Sequence, residues 1–234
     1  MKTLKSIFAA SAFCFAALNV AAQTADEIVA KNITAMGGAD KLATLNTVKM
    51  EGSMSVQGMD IPVVITKTHL KGMRLDLEIM GTSNYQIITD KTGWMFMPIQ
   101  QMDAPQEIPA EQYAAAKSQL DIRGALSNYK DKGYSIEAVG NEKVDGKDAH
   151  KLKVIKGAET TYYYIDAATG YILKNSAKRE VNGESMDIET VFSDYKKNAE
   201  GFVFPYSMTT MQGTINFDKI AANVAVDEKI YAAN

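Results

Sequence analysis

Cysteine and histidine are scarce in this chain, whose 234 residues include one Cys and two His. Zinc sites take most of their three or four ligands from these residue types, and neither a C-x-x-C nor an H-x-x-x-H spacing occurs. His69 alternates with Lys67 along a predicted strand and His150 precedes Lys151, so we expect both histidines to be solvated or edge residues. The sequence therefore disfavours metal catalysis and predicts no cofactor.

An excess of basic charge is also missing, because 25 Lys and Arg stand against 28 Asp and Glu, for a net charge of −3. Proteins bind nucleic acids largely by neutralising phosphates with Lys and Arg, so nucleic acid is not a predicted partner.

No G-x-S-x-G, Gly-rich phosphate loop or H-E-x-x-H motif occurs. Asp76 and Glu78 share a strand face, as Asp187 and Glu189 do, and Arg74 is placed to balance the first pair. We interpret both pairs as ordinary polar strand faces and predict that the protein is not an enzyme.

Long apolar runs are absent except at the start of the chain, where residues 7–17 follow two lysines. Such a segment, ending in small residues at Val20 and Ala22, is typical of a secretory signal peptide. We predict cleavage after residue 22, one mature domain of residues 23–234, and export to the periplasm. A membrane anchor is the alternative, but the run is shorter than the roughly 20 residues of a spanning helix. The only cysteine lies in this leader, so the mature domain depends on its apolar core for stability.

Alternation of apolar and polar residues dominates the rest of the chain and predicts strands with one buried face. We count about ten or eleven short antiparallel strands, a number that favours one large curled sheet or barrel. Two helical regions are too few to cover both faces of such a sheet, so we expect them to form a lid over its concave side. The predicted helices cover 24–36, the short turn 39–45 and an insertion at 105–133, and a hairpin turn is expected at 57–60. The predicted strands cover 48–56, 61–65, 73–79, 85–89, 94–97, 134–139, 148–155, 161–165, 171–178, 186–192, 202–211 with a break at Pro205, and 214–221.

Methionines are concentrated in one part of the chain, since eight of the 13 lie between residues 50 and 102. Methionine is flexible and fills irregular gaps, and it also recurs on surfaces that accept apolar ligands of varied shape. The spacing alone leaves both a methionine-rich core and an adaptable binding surface open. The eight residues are Met50, Met54, Met59, Met73, Met80, Met95, Met97 and Met102.

Several segments, taken in order, resemble the periplasmic outer-membrane lipoprotein carriers, the LolA-like and LppX-like proteins. Residues 88–98 read ITDKTGWMFMP, which is similar to the strand, turn and Trp-x-aromatic-x-Pro signature of that family. The second half of the family is matched by GNEKVDGKDA at 140–149 and YYIDAATGY at 163–171, then by DY at 194–195, GFVFP at 201–205 and NVAVD at 223–227. The resemblance extends over nearly the whole predicted mature chain.

The resemblance implies a mainly β fold with some α: an incomplete, strongly curved antiparallel β-barrel with a helical lid over its apolar concave face. It implies a monomeric carrier that binds acyl chains of lipoproteins or lipids and moves them from a membrane donor complex towards an outer-membrane acceptor. The proteobacterial carrier latches its lid with an arginine that has no counterpart here, which makes Lys71 the candidate replacement. A non-catalytic envelope sensor of the same fold, recognising a lipidated or membrane partner, is the alternative, and a hydrolase of envelope lipids or glycans is a third.

The predicted site consists of an apolar cavity and the lid that covers it. A dry cavity of about 300 to 1,000 Å³ costs roughly 7 to 24 kcal/mol, so we expect the empty protein to collapse its lid onto methionine-lined strands. The predicted cavity residues are Met50, Met54 and Val63, and the predicted lid residues are Ile28, Ile33, Met36, Ile122 and Leu126.

Overall fold

A computed structural model describes residues 23–56, 58–181 and 184–233. The predicted leader and Gln57 of the expected 57–60 turn lie outside these residues. Three α-helices are present: α1 (Ala25–Ala35), α2 (Ala39–Ala43) and α3 (Ala110–Lys117). The strands are β1 (Thr47–Val56), β2 (Met59–Thr68), β3 (Gly72–Ile79), β4 (Thr82–Thr89), β5 (Gly93–Phe96), β6 (Gln106–Glu107), β7 (Ser135–Val144), β8 (Lys147–Lys156), β9 (Glu159–Asp166), β10 (Ile172–Val181), β11 (Glu184–Lys197), β12 (Val203–Thr210) and β13 (Gly213–Ala222).

The strands form one antiparallel sheet in the order β6-β5-β4-β3-β2-β1-β13-β12-β11-β10-β9-β8-β7. The terminal strands β6 and β7 do not pair with each other, so the barrel is incomplete, as predicted. Thirteen strands are described rather than ten or eleven. The strand β6 matches none of the predicted ranges, because it has only two residues and these are too few to show an alternating pattern. β12 runs without the break expected at Pro205, which stays in register opposite Tyr195.

Tight turns connect the strands, and a register shift bends the sheet, at residues whose backbone conformation is known. Met80 and Gly81 join β3 to β4 with φ values of 53° and 74°, the left-handed backbone that matches the twist of a two-residue hairpin. Between β1 and β13 the register shifts at Glu51/Gly52, an irregularity that increases local bending. A Cβ atom at Gly52 would lie 2.0 Å from the carbonyl oxygen of Asn216, so only glycine permits this approach.

The first predicted helix is confirmed as α1, and its start depends on a capping box. The Glu27 amide donates to Thr24 Oγ1 at 3.3 Å, and the Thr24 amide donates to Glu27 Oε2 at 2.8 Å. Asn32 anchors the buried face, because its side-chain amide donates to the Gly170 carbonyl at 2.8 Å. Residues 37 and 38 end the helix region in positive-φ glycine conformations.

The helical insertion predicted at 105–133 is largely wrong. Only α3 is α-helical, followed by one 3-10 turn at Ser118–Leu120, and residues 121–133 form successive turns. Gly124, Asn128 and Gly133 have φ values of 85°, 48° and 72°, which interrupt a right-handed helix. The apolar spacing of Ile122 and Leu126 reflects contacts with the sheet rather than helix periodicity.

The lid consists of two parts that cover different halves of the concave face. Tyr113, Ala116 and Ile122 of the α3 region pack against an apolar cluster on β1, β2, β3 and β13. Helix α1 instead packs on β8 and β9, where Ile28 contacts a cluster that contains Leu152. The methionine-lined strands are therefore covered by the α3 region and not by α1, which differs from our expectation. Within the described residues, no helix is long and apolar enough to cross a membrane.

Candidate functional site

A cavity of about 450 Å³ lies between the lid and the concave face of the sheet, and it borders both apolar clusters. Ile33 and Met36 line it from the α1 side, and Ile122 and Leu126 line it from the 118–127 segment. The sheet contributes apolar side chains along β1, β11 and β12, so most of the wall is apolar. These sheet residues are Val48, Met50, Phe192, Val203, Phe204, Pro205 and Met208.

A polar row crosses the part of the cavity wall that β9, β10 and β11 form. Tyr163 lies opposite Asn175 on the neighbouring strand, and Asn175 lies opposite Thr190 on the next. Arg179 and Glu159 follow towards the hairpin ends, with Arg179 Nη1 4.0 Å from Glu159 Oε1. The cavity therefore combines a large apolar wall with a narrower polar one, which the sequence analysis did not predict. The sequence did contain a sign of the polar wall, because the residues of β10 and β11 that face the cavity include the polar residues Asn175 and Thr190.

Two tyrosines of this region are shielded from solvent. Burial raises the pKa of Tyr163 to about 12, and it also raises the pKa of Tyr195. The Tyr195 hydroxyl donates to the Ile172 carbonyl at 2.8 Å, and its ring stacks on Tyr171 with centroids 4.3 Å apart. Tyr195 is thus a rigid part of the wall, and neither phenol ionises at neutral pH.

The lid segment is fastened to the sheet by Arg123. Its Nε donates to the Leu45 carbonyl and its Nη2 to Asn46 Oδ1, both at 3.1 Å. A backbone bond from Leu70 N to the Leu120 carbonyl, 2.8 Å long, adds a second attachment. Arg123 therefore connects the lid segment to the loop before β1.

Lys71, the predicted replacement for the latch arginine, lies elsewhere. Its ammonium pairs with Glu228 at 2.6 Å, in an exposed contact with the 3-10 turn Glu228–Tyr231. Arg74, by contrast, balances Asp76 as predicted, with Nε 2.8 Å from Oδ1. Lys71 thus secures the C-terminal segment rather than the lid.

His69 is not the solvated or edge residue that we expected. Its side chain is largely buried, and its Nδ1 has no hydrogen-bond partner among the described residues. Asp121 Oδ1 lies 3.8 Å away, beyond hydrogen-bond distance, and accepts from the Arg123 amide at 3.3 Å, while Asp121 Oδ2 pairs with Lys132 Nζ at 2.5 Å. Burial lowers the pKa of His69, and the nearby charges of Arg123 and Lys132 add to the effect while Asp121 opposes it.

The structure brings some of the predicted site residues together and separates others. Met50 lines the cavity, whereas Met54 and Val63 belong to the packed cluster beneath the α3 region. Ile28 is fully packed against β8 and β9. Four of the five predicted lid residues line the cavity, and a ligand contact for any of them stays a prediction. These four are Ile33, Met36, Ile122 and Leu126.

Exposed methionines gather at one end of the sheet, at the tips of neighbouring hairpins. Met59 begins β2, Met80 lies in the β3–β4 turn, Met186 lies near the start of β11, and Met211 lies between β12 and β13. The register of the strands places these four hairpin ends side by side. Met80 and Met211 are 80% and 62% exposed, so both thioethers are in contact with solvent. We call this set the methionine rim.

The described residues contain no cluster of three or more His, Cys, Asp or Glu side chains that could hold a metal ion. The lining residues that could contact a polar group are lysine, arginine, tyrosine, asparagine, glutamine, serine and threonine side chains, together with the carboxylates of Asp121 and Glu159. The arrangement is suited to holding a mostly apolar molecule with one or more polar groups.

Two solved structures share this architecture over most of their length. A LolA superfamily protein from Nitrosomonas europaea is 13% identical, with a TM-score of 0.55 over 90% of this chain and 98% of that one. A DUF1329 family protein from Desulfovibrio piger is 14% identical, with a TM-score of 0.57 over the same shares of the two chains. No protein-family model and no curated protein matches the sequence. At this identity the likeness is one of fold.

Proposed function

The chain has the fold of a LolA superfamily protein, and from that premise we propose that it is a carrier of acyl chains. The observation that carries the proposal is the cavity of about 450 Å³ between the concave sheet and a fastened lid, with a mostly apolar wall. Its volume is within the roughly 300 to 1,000 Å³ of small-molecule sites. The cargo would be the acyl chains of a lipoprotein or lipid, moved through the periplasm towards the outer membrane after removal of residues 1–22.

Burial of the chain supplies the affinity in this proposal. Each methylene transferred from water is worth about 0.8 kcal/mol, so ten buried methylenes represent roughly 8 kcal/mol before the costs of association. No covalent step or cofactor is needed for such binding, which agrees with a function that is not enzymatic.

The empty state needs an explanation of its own. A dry void of 450 Å³ would cost about 11 kcal/mol, which is comparable with the whole stability of a domain. The polar row of Tyr163, Asn175 and Thr190 supplies partners for water on one wall. We infer that water fills this side when no cargo is bound, and that cargo displaces it together with the movable parts of the lid.

Displacement of an environment-sensitive apolar dye tests the proposal. The dye should bind the protein and be released by a lipid with a long acyl chain. Met208→Trp should fill the cavity and weaken dye binding at least fivefold. Thr209→Trp is the matched control, because Thr209 is the next residue of β12 and is exposed on the other face. Equal dye binding by both variants would contradict the proposal.

Mass spectrometry of lipid extracted from protein purified from the periplasm would identify the cargo. Recovery of a lipid or lipoprotein at near one equivalent supports a carrier. A stable complex with a membrane protein, without release of any lipid to vesicles, would instead favour the sensor alternative.

A further inference from the structure

Lys67 lines the cavity from a face of β2 that is otherwise apolar. It lies on β2, between Val48 of β1 and Met73 of β3 in the register of the sheet. Both neighbours are buried apolar residues, and Ile65, two positions earlier on the same face, is buried as well. Alternation along β2 would place another apolar residue at position 67, so lysine is the exception in this row.

The other cationic side chains that line the cavity have partners, whereas Lys67 has none. Arg123 donates to Leu45 and Asn46, and Arg179 lies 4.0 Å from the Glu159 carboxylate. The Lys156 ammonium lies over the Tyr134 ring, 5.9 Å from its centroid. Among the described residues, Lys67 makes no side-chain hydrogen bond and no ion pair.

No neighbouring element supplies a free carboxylate to Lys67. The residues beside it on β1 and β3 are apolar, and the lid contributes Asp121 and Arg123 to the cavity wall. Asp121 is already bound to Lys132 at 2.5 Å. Burial lowers the pKa of Lys67 to about 8, so the ammonium remains mostly charged at neutral pH. Lys67 is half-buried, and a charge that is partly shielded from water is costly unless it is paired. A ligand is the partner that this position lacks.

We propose that Lys67 binds the anionic headgroup, a carboxylate or a phosphate, of an amphiphile whose acyl chain lies along the apolar wall of the cavity. The inference rests on the proposed carrier function and adds a charge preference to it. Charge-assisted hydrogen bonds are stronger than neutral ones, so the protein would select anionic over neutral amphiphiles of equal chain length.

The test compares dodecanoate, dodecyl phosphate and dodecanol, each below its aggregation concentration, by dye displacement at pH 7. In Lys67→Met the affinity for one or both anions should fall at least tenfold, while the affinity for dodecanol should change less than twofold. Lys67→Arg should retain most of the anion affinity. Lys49→Met is the matched control, because Lys49 lies on the adjacent strand, is exposed, and pairs with Glu51 at 2.5 Å. Thermal unfolding establishes that each variant is folded.

The outcomes separate this inference from the carrier proposal. Loss of dodecanoate binding alone identifies a carboxylate ligand, and loss of dodecyl phosphate binding alone identifies a phosphate ligand. Equal losses for the anions and for dodecanol, or no loss at all, would overturn the role of Lys67 and leave the carrier intact. Failure of the wild type to bind any of the three would contradict the carrier proposal itself.

A pH series gives a second readout. Dodecanoate affinity of the wild type should fall as the pH rises from 8 to 10, because the free ammonium loses its proton in that range. The affinity of Lys67→Met should change much less over this range, because the variant lacks the ammonium whose pKa burial lowers to about 8. The other charged residues that line the cavity, Asp121, Arg123, Lys156, Glu159 and Arg179, are common to both proteins, so the difference between the two series reports Lys67 alone.

Discussion

At the scale of single residues, two side chains near the end of β2 have electrostatic costs that the fold does not offset. Lys67 presents an unpaired ammonium to the cavity, and His69 has a buried ring nitrogen without a partner. Proteins usually pair such groups, so each one lowers stability under the conditions in which it is charged. These costs can be measured separately because the two groups titrate in different pH ranges.

Lys67→Met should stabilise the empty protein at pH 7. The pKa of Lys67 falls from 10.5 to about 8 on folding, so below pH 8 the folded state holds a charge that burial disfavours. Because the side chain is only partly shielded from solvent, the gain should be roughly 1 to 3 kcal/mol. Between pH 8 and 10.5 the unfolded chain binds more protons, so wild-type stability should rise and the difference should shrink. Urea unfolding at pH 7 and pH 10 measures it, and an equal gain at both values would contradict the prediction.

His69→Gln should make the protein less sensitive to acid. The pKa of His69 is lowered on folding, so below its unfolded value the unfolded chain binds more protons than the folded one. The stability linked to neutral His69 is therefore present at pH 7.5 and is lost as the pH falls through the folded pKa. Unfolding midpoints at pH 7.5 and pH 5 should fall further apart for the wild type than for the variant. His150→Gln, which alters a half-buried histidine whose Nδ1 lies 2.7 Å from Asn141 Oδ1, is the control.

At the scale of elements, a segment could be predicted from the sequence when residues close to one another in the chain specify its structure. Helix α1 was predicted because its cap, Thr24 with Glu27, is local in sequence. Segment 121–133 was predicted wrongly because its apolar residues face the sheet while its backbone passes through left-handed conformations such as that of Asn128. Long-range contacts, and not helix periodicity, hold that segment in place.

The lid should open more readily in Arg123→Met. This change removes two hydrogen bonds from the guanidinium, to Leu45 and Asn46, which are worth roughly 1 to 3 kcal/mol each when one partner is charged. We expect faster amide hydrogen exchange in 118–127 and faster dye entry, with the sheet unaffected. Lys130→Met is the control, because Lys130 is an exposed lid cation that pairs with Asp26 at 2.9 Å. Identical exchange in the two variants would exclude a latch role for Arg123.

At the scale of the whole molecule, the proposed carrier would need a surface that contacts a membrane or an acceptor. The methionine rim places flexible apolar side chains at four adjacent hairpin ends. Transfer of such side chains out of water is favourable. Exposed apolar groups of this number on one end of a sheet are consistent with such a contact.

The triple variant Met59→Gln, Met80→Gln and Met211→Gln should slow delivery of a fluorescent lipid to vesicles at least threefold. Its binding of the same lipid should stay unchanged, because none of the three residues lines the cavity. Leu70→Gln is the control, since Leu70 is 58% exposed but lies in the β2–β3 turn at the opposite end of the sheet. If the triple variant also binds the lipid more slowly, the defect lies in cargo binding, and the proposed role of the methionine rim in delivery is contradicted.

The sequence by itself determined the sheet, because period-2 alternation and turn residues such as Asp145 and Gly146 act over a few positions and specify strands and hairpins directly. It also indicated the part of the chain that contributes apolar residues to the concave face. Only the tertiary structure decided which of them remain available to a ligand: Met50 borders the cavity while Met54 and Val63 are packed. Curvature and lid packing bring together residues far apart in the chain, such as Lys67 and Tyr163, and no local pattern encodes the space left between them.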